Sequence, residues 1–356
     1  MEPARTALIG YGLAGESLHA PLIAAVPGLE LAAVVTRDEG RRERATRAHP
    51  GVELLDSADQ IWARPGDFDL VVVAAPNRAH VPLARASIGA GLPVVVDKPL
   101  AASGAEAADL IDEAQERGVM LTVFQNRRWD GDFLTAAGLV VGGELGKVMR
   151  FESRFERWRP EIKAGWREAG DPEEAGGVLF DLGSHLVDQA LQLFGPVEGI
   201  YAELNGRRPG AEVDDDAFLA LEHVSGVRSH LWMSAVAADL GPRLRVLGDE
   251  AAYVKHGLDV QEAALRDGRR PGEPGWGEEP ESAWGKVGAG EEWRPVPTEP
   301  GAYQRFYEGV ERALREGAPP PVDPGDALAT LEILDAARAV SPSARESRAG
   351  SPEPPV

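Results

Sequence analysis

Thr6-Ala7-Leu8-Ile9-Gly10-Tyr11-Gly12-Leu13-Ala14-Gly15 is the stretch that decides the fold. An apolar run with strand-like spacing ends in G-x-G-x-x-G, and a helix-like segment from Glu16 to Val26 follows at once. Each glycine has a physical task in the dinucleotide-binding form of this motif. Gly10 permits the tight turn out of the strand, Gly12 lets a pyrophosphate approach the backbone, and Gly15 lets the helix pack on the strand. The N–H groups at the helix start face the phosphates. The glycine pattern by itself is a weak signal; the strand before it and the helix after it supply the context it requires. Gly10, Tyr11, Gly12, Leu13, Ala14 and Gly15 are therefore expected to hold a nucleotide cofactor.

Working outward, apolar runs at 29–36, 52–55, 70–75, 93–97 and 119–125 alternate with helix-like segments at 37–49, 79–90 and 103–117. Continuous apolar strands separated by helices predict a parallel sheet covered on both faces, a doubly wound Rossmann domain over residues 1–126. After about Arg127 the pattern changes. Longer, partly alternating strands at 147–158, 197–206, 215–224, 227–236 and 243–255 predict an α+β domain over 127–340 with a mostly antiparallel, open sheet. Helices are expected at 130–141, 181–194, 303–316 and 326–340. The Gly-, Pro-, Glu- and Trp-rich stretch 257–300 reads as a long irregular excursion. The tail 341–356 has little to bury and reads as disordered.

The chain has 356 residues, enough for two domains of ~100–200 residues each, and is 43% apolar. It has no cysteine, which removes disulfides, thiolate catalysis and cysteine-ligated metals. A net charge of −21 repels nucleic acid and anionic membranes. No run approaches the ~20 apolar residues of a membrane helix. The first strand follows Met1 almost immediately, which leaves no room for a signal peptide and gives a cytoplasmic expectation.

The second strand ends Val35-Thr36-Arg37, where a carboxylate would grip the ribose of NAD. A hydroxyl and a guanidinium there suit a 2′-phosphate, with Arg41 or Arg42 adding charge. NADP(H) is therefore favoured over NAD(H). In the other reading these arginines solvate the next helix and Asp38 finds the ribose.

Two constellations carry chemistry. Val94-Val95-Val96-Asp97-Lys98-Pro99 places a lysine at the mouth of the fifth strand. An ammonium there can polarise a substrate oxygen, although a surface lysine after a strand is the commoner occurrence. In Leu179-Phe180-Asp181-Leu182-Gly183-Ser184-His185-Leu186-Val187-Asp188-Gln189, helical spacing puts Asp181, His185 and Gln189 on one face. A histidine beside a cofactor suits general base work. By spacing alone the stripe is equally a solvent-facing surface, or an aspartate capping the helix start. Two ligands one turn apart are too few for a metal, so none is expected.

Gly10 to Gly15, Ala75-Pro76-Asn77 with His80, Asp97-Lys98-Pro99, and Asp181 to His185 stand in one order at sensible distances. Together they resemble the Gfo/Idh/MocA (glucose–fructose oxidoreductase/inositol dehydrogenase) family over roughly residues 5–340, most closely its NADP-dependent scyllo-inositol dehydrogenase branch. His19-Ala20-Pro21, Asn126-Arg127-Arg128-Trp129-Asp130, Gly165-Trp166-Arg167 and Tyr253-Val254-Lys255-His256-Gly257-Leu258-Asp259 add to the resemblance. The family's Glu-Lys-Pro is Asp97-Lys98-Pro99 here, which keeps the charge on a shorter side chain.

The resemblance implies that Lys98, Asp181 and His185 are catalytic. It implies that Ala75, Pro76, Asn77, His80, Asp97, Asn126 and Arg127 lie along the cofactor, beside Thr36, Arg37 and Arg41. Trp166 and Arg167 would line the substrate cleft with Asp181, His185 and Gln189. The implied reaction moves a hydride between nicotinamide and a secondary alcohol or ketone of a polyol, inositol or sugar. The open sheet face would join copies into a dimer or tetramer. Rival readings are another carbonyl or imine substrate, a redox-neutral cycle, and a nucleotide-sensing regulator without turnover. A sensor would need neither Lys98 nor His185.

Overall fold

The six apolar runs at the start of the chain pair in parallel. They are β1 (Ala4–Ile9), β2 (Leu29–Val35), β3 (Glu53–Leu55), β4 (Leu70–Val73), β5 (Val94–Asp97) and β6 (Leu121–Phe124), in the order β3-β2-β1-β4-β5-β6. This is the doubly wound order of a dinucleotide fold. Val71, Val72, Val73, Val94, Val95 and Val96 are wholly buried, as strands covered on both faces must be. A π-helical turn, Gly15–His19, leads into α1 (Ala20–Ala24). Then come α2 (Glu39–Ala48), α3 (Asp59–Trp62), α4 (His80–Gly89) and α5 (Gly104–Glu116). Ser103 starts α5 by accepting the Glu106 N–H at 3.3 Å, and Ala107, Leu110, Ile111 and Ala114 bury one face at helical spacing. The computed structural model describes residues 2–162, 165, 168 and 170–341.

Beyond this sheet come α6 (Gly131–Val141), β7 (Val148–Glu156) and a π-helical turn, Leu179–Gly183, that runs into α7 (Ser184–Phe194). β8 (Val197–Asn205), β9 (Asp216–His223), β10 (Arg228–Ser234), β11 (Leu244–Gly248) and β12 (Ala252–Lys255) follow. The chain ends with α8 (Gln261–Arg266), β13 (Gly285–Ala289), β14 (Glu292–Val296), α9 (Gln304–Glu316) and α10 (Pro324–Val340). The second sheet has the order β14-β13-β12-β11-β7-β10-β9-β8. Only its β7–β10 pair is parallel, so the mostly antiparallel sheet expected from the sequence is present. α7 covers one face, with Phe194 packed on Phe151 and His223 at ring separations of 5.4 and 5.7 Å. The other face shows Tyr201, Phe218, His230 and Trp232 with the Arg154 guanidinium 3.9 Å from the Trp232 ring.

The chain forms two compact units that are not contiguous in sequence. The first is Met1–Gly131, Asp259–Glu278 and Pro300–Leu328; the second is Asp132–Leu258, Glu279–Glu299 and Ala329–Val356. This differs from a single boundary at 126/127. The reason is packing: α9 brings Phe306 and Tyr307 onto Phe124, with ring separations of 5.0 and 5.9 Å. α8 lies against the Gly15–His19 turn. The stretch read as an irregular excursion thus contributes α8 to the first unit and the β13–β14 hairpin to the second. The run 243–255 is two strands, broken by the turn at Asp249-Glu250-Ala251. Of the tail, Ser341 is buried and its hydroxyl accepts the Leu204 N–H at 3.2 Å; residues 342–356 lie outside the described residues. Among the described residues no helix is long and apolar enough to cross a membrane.

Candidate active site

In the first unit the glycine turn has the geometry the motif requires. Gly10 has φ +99°, and a Cβ there would stand 2.3 Å from the Ala74 carbonyl oxygen. A Cβ on Gly15 would meet the Gly10 oxygen at 2.1 Å, so strand and helix touch through backbone alone. A Cβ on Gly12 would meet nothing within 4 Å. That open space beside a helix start fits a pyrophosphate, which needs close backbone approach and free N–H donors. The Tyr11 side chain is turned inward and buried. Burial and Glu16 raise its pKa against Arg270 and Arg44, so the phenol stays protonated.

At the end of β2, Asp38 caps α2 by accepting the Arg41 N–H at 2.8 Å. Arg42 is committed to the Thr36 carbonyl at 3.0 Å and to Asp56 at 2.8 Å. Arg37 donates through Nε to the Asp56 carbonyl at 2.9 Å. Arg37 and Arg41 are exposed, and neither guanidinium is paired with a carboxylate among the described residues. Two cations thus stand at the strand end, while Asp38 is spent on the helix and Asp56 on Arg42.

The loops after β4 and β5 are strapped together by His80. Its Nδ1 lies 2.7 Å from the Pro99 carbonyl oxygen and its Nε2 2.9 Å from that of Ala75. The ring is buried, and burial lowers its pKa against the Asp97 charge and the two carbonyls. The sequence places His80 along the cofactor; in the structure both its nitrogens face backbone carbonyls of the protein. Asp97 turns back to accept the Lys98 N–H at 2.8 Å and lies 3.7 Å from His19, whose Nδ1 is 2.6 Å from the Tyr307 hydroxyl. Burial pushes the Asp97 carboxyl up, but the imidazoles of His19 and His80 and the Lys98 charge outweigh it and leave the pKa below the usual carboxylate value. Asp97 is thus an anion beneath Lys98, which stands part-exposed where β5 ends.

Asn126 and Arg127 lie in a 3-10 turn, Asn126–Trp129, at the end of β6. Both arms of Arg127 are taken inside the unit, by Asp130 at 3.3 Å and Glu262 at 2.7 Å. Tyr303 donates to the other Asp130 oxygen at 2.6 Å. Asp259 accepts the Gly131 N–H, and Gln261 joins Trp129 to Tyr303. Burial opposes the Arg127 charge, yet Tyr303, Asp130 and Glu262 hold its pKa above the ordinary arginine value. Arg127 therefore braces the turn that carries Asn126. Arg127→Met is expected to cost about 3–5 kcal/mol of unfolding free energy, because it leaves the fully buried Asp130 carboxylate without its cation. Urea unfolding checks this; a loss below about 1 kcal/mol would remove the brace.

In the second unit the Leu179–Gly183 turn carries Asp181, and α7 carries His185 and Gln189. The helix is buried nearly all round from Leu182 to Ala190, so the stripe is not a solvent-facing surface. π-helical turns of this kind are frequent at functional sites. Asp181 is part-exposed and lines a cavity of about 60 Å³ together with Arg157, Arg208, Asp214 and Ser234. Gln189, expected to touch substrate, has no exposed surface and accepts from Arg243 at 3.0 Å; Arg243 also pairs with Asp132 at 3.3 Å. It is spent on the interior of the unit. Trp166 and Arg167 lie outside the described residues.

Residues 4–125 match a family model described as an oxidoreductase-family, NAD-binding Rossmann fold, and residues 133–254 match the GFO/IDH/MocA C-terminal domain. The chain belongs to the GFO/IDH/MocA oxidoreductase family. It is 38% identical over 333 residues to YdgJ of Escherichia coli K12, an uncharacterized oxidoreductase, covering 93% of this chain and 94% of that one. It is 34% identical over 337 residues to IolW of Bacillus subtilis 168, a scyllo-inositol 2-dehydrogenase (NADP(+)), covering 94% and 92%. The solved structure of Bacillus subtilis yvaA superposes with a TM-score of 0.90 at 33% identity, covering 96% of this chain and 97% of that one. As a GFO/IDH/MocA member the chain carries an NAD(P)-binding Rossmann domain. In the sequence Asp130 and Asp259 stand only within stretches of the resemblance, with no role of their own, and Gln261 and Glu262 carry no signal; all four are ordinary polar residues until the fold joins them. In the second unit the sequence reading missed Asp214, whose one sequence cue was the Asp-Asp-Asp run at 214–216.

Proposed function

We propose that this protein is an NADP(H)-preferring oxidoreductase acting on a secondary alcohol or ketone of a polyol, inositol or sugar. The observation that carries the reading is Lys98, anchored by Asp97 at the carboxyl edge of the sheet whose glycine turn leaves Gly12 open. The likeness to a scyllo-inositol 2-dehydrogenase supports the substrate class. Gly10, Gly12, Leu13, Ala14 and Gly15 would hold the pyrophosphate, with Ala75, Pro76, Asn77 and Asn126 along the nicotinamide half. NADP(H) would accept or supply a hydride at nicotinamide C4. His185 takes the hydroxyl proton in oxidation and returns it in reduction. Lys98 steadies negative charge on the reacting oxygen, and Asp181 holds the substrate.

The test is NADPH absorbance decay with a panel of inososes and keto-sugars. Turnover on at least one supports the reading; tight NADPH binding with none would favour a sensor. Arg37 and Arg41 support the cofactor preference. Wild-type kcat/KM is expected to favour NADPH over NADH by ~10-fold or more, and Arg37→Ala/Arg41→Ala should remove most of that margin. A tenfold preference for NADH would contradict it. The aromatic face of the second sheet supports a homodimer or homotetramer, since contiguous exposed apolar patches mark interfaces. Light scattering should give two or four copies, and Trp232→Glu should lower that number; a monomeric wild type would end the proposal.

A further inference from the structure

We propose that Asp214 is a positioning residue for the reactive turn: its carboxylate, as an anion, clamps the start of the helix that carries Asp181 and His185. This rests on the reading that Asp181 and His185 serve the substrate. All the groups involved belong to the second unit.

A helix start leaves N–H groups without partners inside the helix. Here Asp214 takes two in succession. Its backbone oxygen accepts the Val178 N–H at 2.9 Å, and its Oδ2 accepts the Leu179 N–H at 2.7 Å. Gly177 makes room for this: it has φ +93°, and a Cβ there would lie 2.3 Å from Asp214 Oδ1. The Gly177 oxygen in turn accepts the Asp181 N–H at 3.1 Å. The clamp, the glycine and Asp181 therefore belong to one turn, and Asp181 and Asp214 share the wall of one cavity. A charged acceptor at a helix start is worth more than a neutral one.

Charged groups from several elements surround Asp214. Asp181 comes from the turn itself. Arg157 and Arg159 follow the end of β7 and line the same cavity with Glu168 and Arg208. Arg208 is held by Asp215 at 2.8 Å and Glu168 at 2.6 Å. Arg338 of α10 stacks on the Phe180 ring at 3.9 Å and donates to the Gly176 oxygen at 3.4 Å. Burial pushes the Asp214 carboxyl up to about 6, against the Leu179 bond and Arg338, with Asp215 adding to the rise. The clamp is charged above that pH and neutral below it.

The test follows hydrogen–deuterium exchange over residues 176–186 in the full chain, for wild type, D214N and G177A. Two pH values are used, well above and well below about 6, each corrected for intrinsic exchange. Well above it, both variants should exchange roughly tenfold faster than wild type. Well below it, D214N and wild type should coincide, which a role in packing alone would not produce. With NADPH and the best panel substrate, D214N should lose kcat several-fold while its Kd for NADPH stays unchanged. Equal exchange at the higher pH, faster D214N exchange at both, or an unchanged kcat would each overturn the proposal. A wild type that turns over no panel member removes the dehydrogenase reading instead, and the exchange pattern still decides the clamp.

Discussion

Lys98→Met and His185→Asn are each expected to lower kcat by ~10²–10⁴ while the Kd for NADPH stays within about threefold of wild type. Lys98 stands at the strand end with its backbone fixed by Asp97, so methionine removes the charge and keeps the length. His185 is buried in a helix that has almost no solvent face, so a substitution of similar size spares the packing. Residues that act on one reacting oxygen are not additive: the double variant should be little worse than the weaker single one. Rates measured by NADPH oxidation and affinities by fluorescence titration check both halves. Near-normal kcat in both single variants would refute these roles, and fully multiplicative losses would separate them.

The second large effect separates two glycines that look alike in the motif. Gly10→Ala must place a methyl 2.3 Å from the Ala74 oxygen at a φ of +99°, which an L residue rarely adopts. Overpacking and backbone strain together are expected to cost about 2–4 kcal/mol, enough to take much of the unit's stability. The Cβ of Gly12→Val meets nothing within 4 Å in the protein. Its stability should stay within about 0.5 kcal/mol. Its Kd for NADPH should rise by ~10²-fold or more, about 2.7 kcal/mol, because the side chain fills the space a pyrophosphate needs. Thermal unfolding and cofactor titration read the contrast. If Gly12→Val binds NADPH normally, the glycine turn is not the cofactor cradle.

The parts of the molecule that were legible in the sequence are those where one local rule decides. Four successive apolar residues in β4 and three in β5 can only sit where both faces are covered, and the glycine turn needs no distant partner to be recognised. β14 failed for the opposite reason. Its residues Glu292, Trp293, Arg294 and Pro295 are all exposed, so no alternation marks them, and pairing with β13 alone makes them a strand. α8 has six residues and reads as excursion until Asp259 and Gln261 tie it to the Trp129 turn.

The site divides the same way. The sequence placed Lys98, Asp181 and the open glycine at positions defined by a strand end or a helix turn. It could not tell whether a polar side chain faces outward or is consumed inside. Arg127, His80 and Gln189 are all consumed, by Glu262, by two carbonyls and by Arg243. The partners of Arg127 and Gln189 lie far along the chain, and those of His80 sit in the loops after β4 and β5.

In the proposed reaction a hydride passes between nicotinamide C4 and a carbinol carbon. The direct measurement uses NADPH deuterated at C4, in its two stereoisomers, with scyllo-inosose and the other panel ketones, and reads the product alcohol by mass spectrometry. One deuterium delivered to carbon from one of the two isomers is the predicted result. A protein that binds NADPH tightly and leaves every product unlabelled would contradict it.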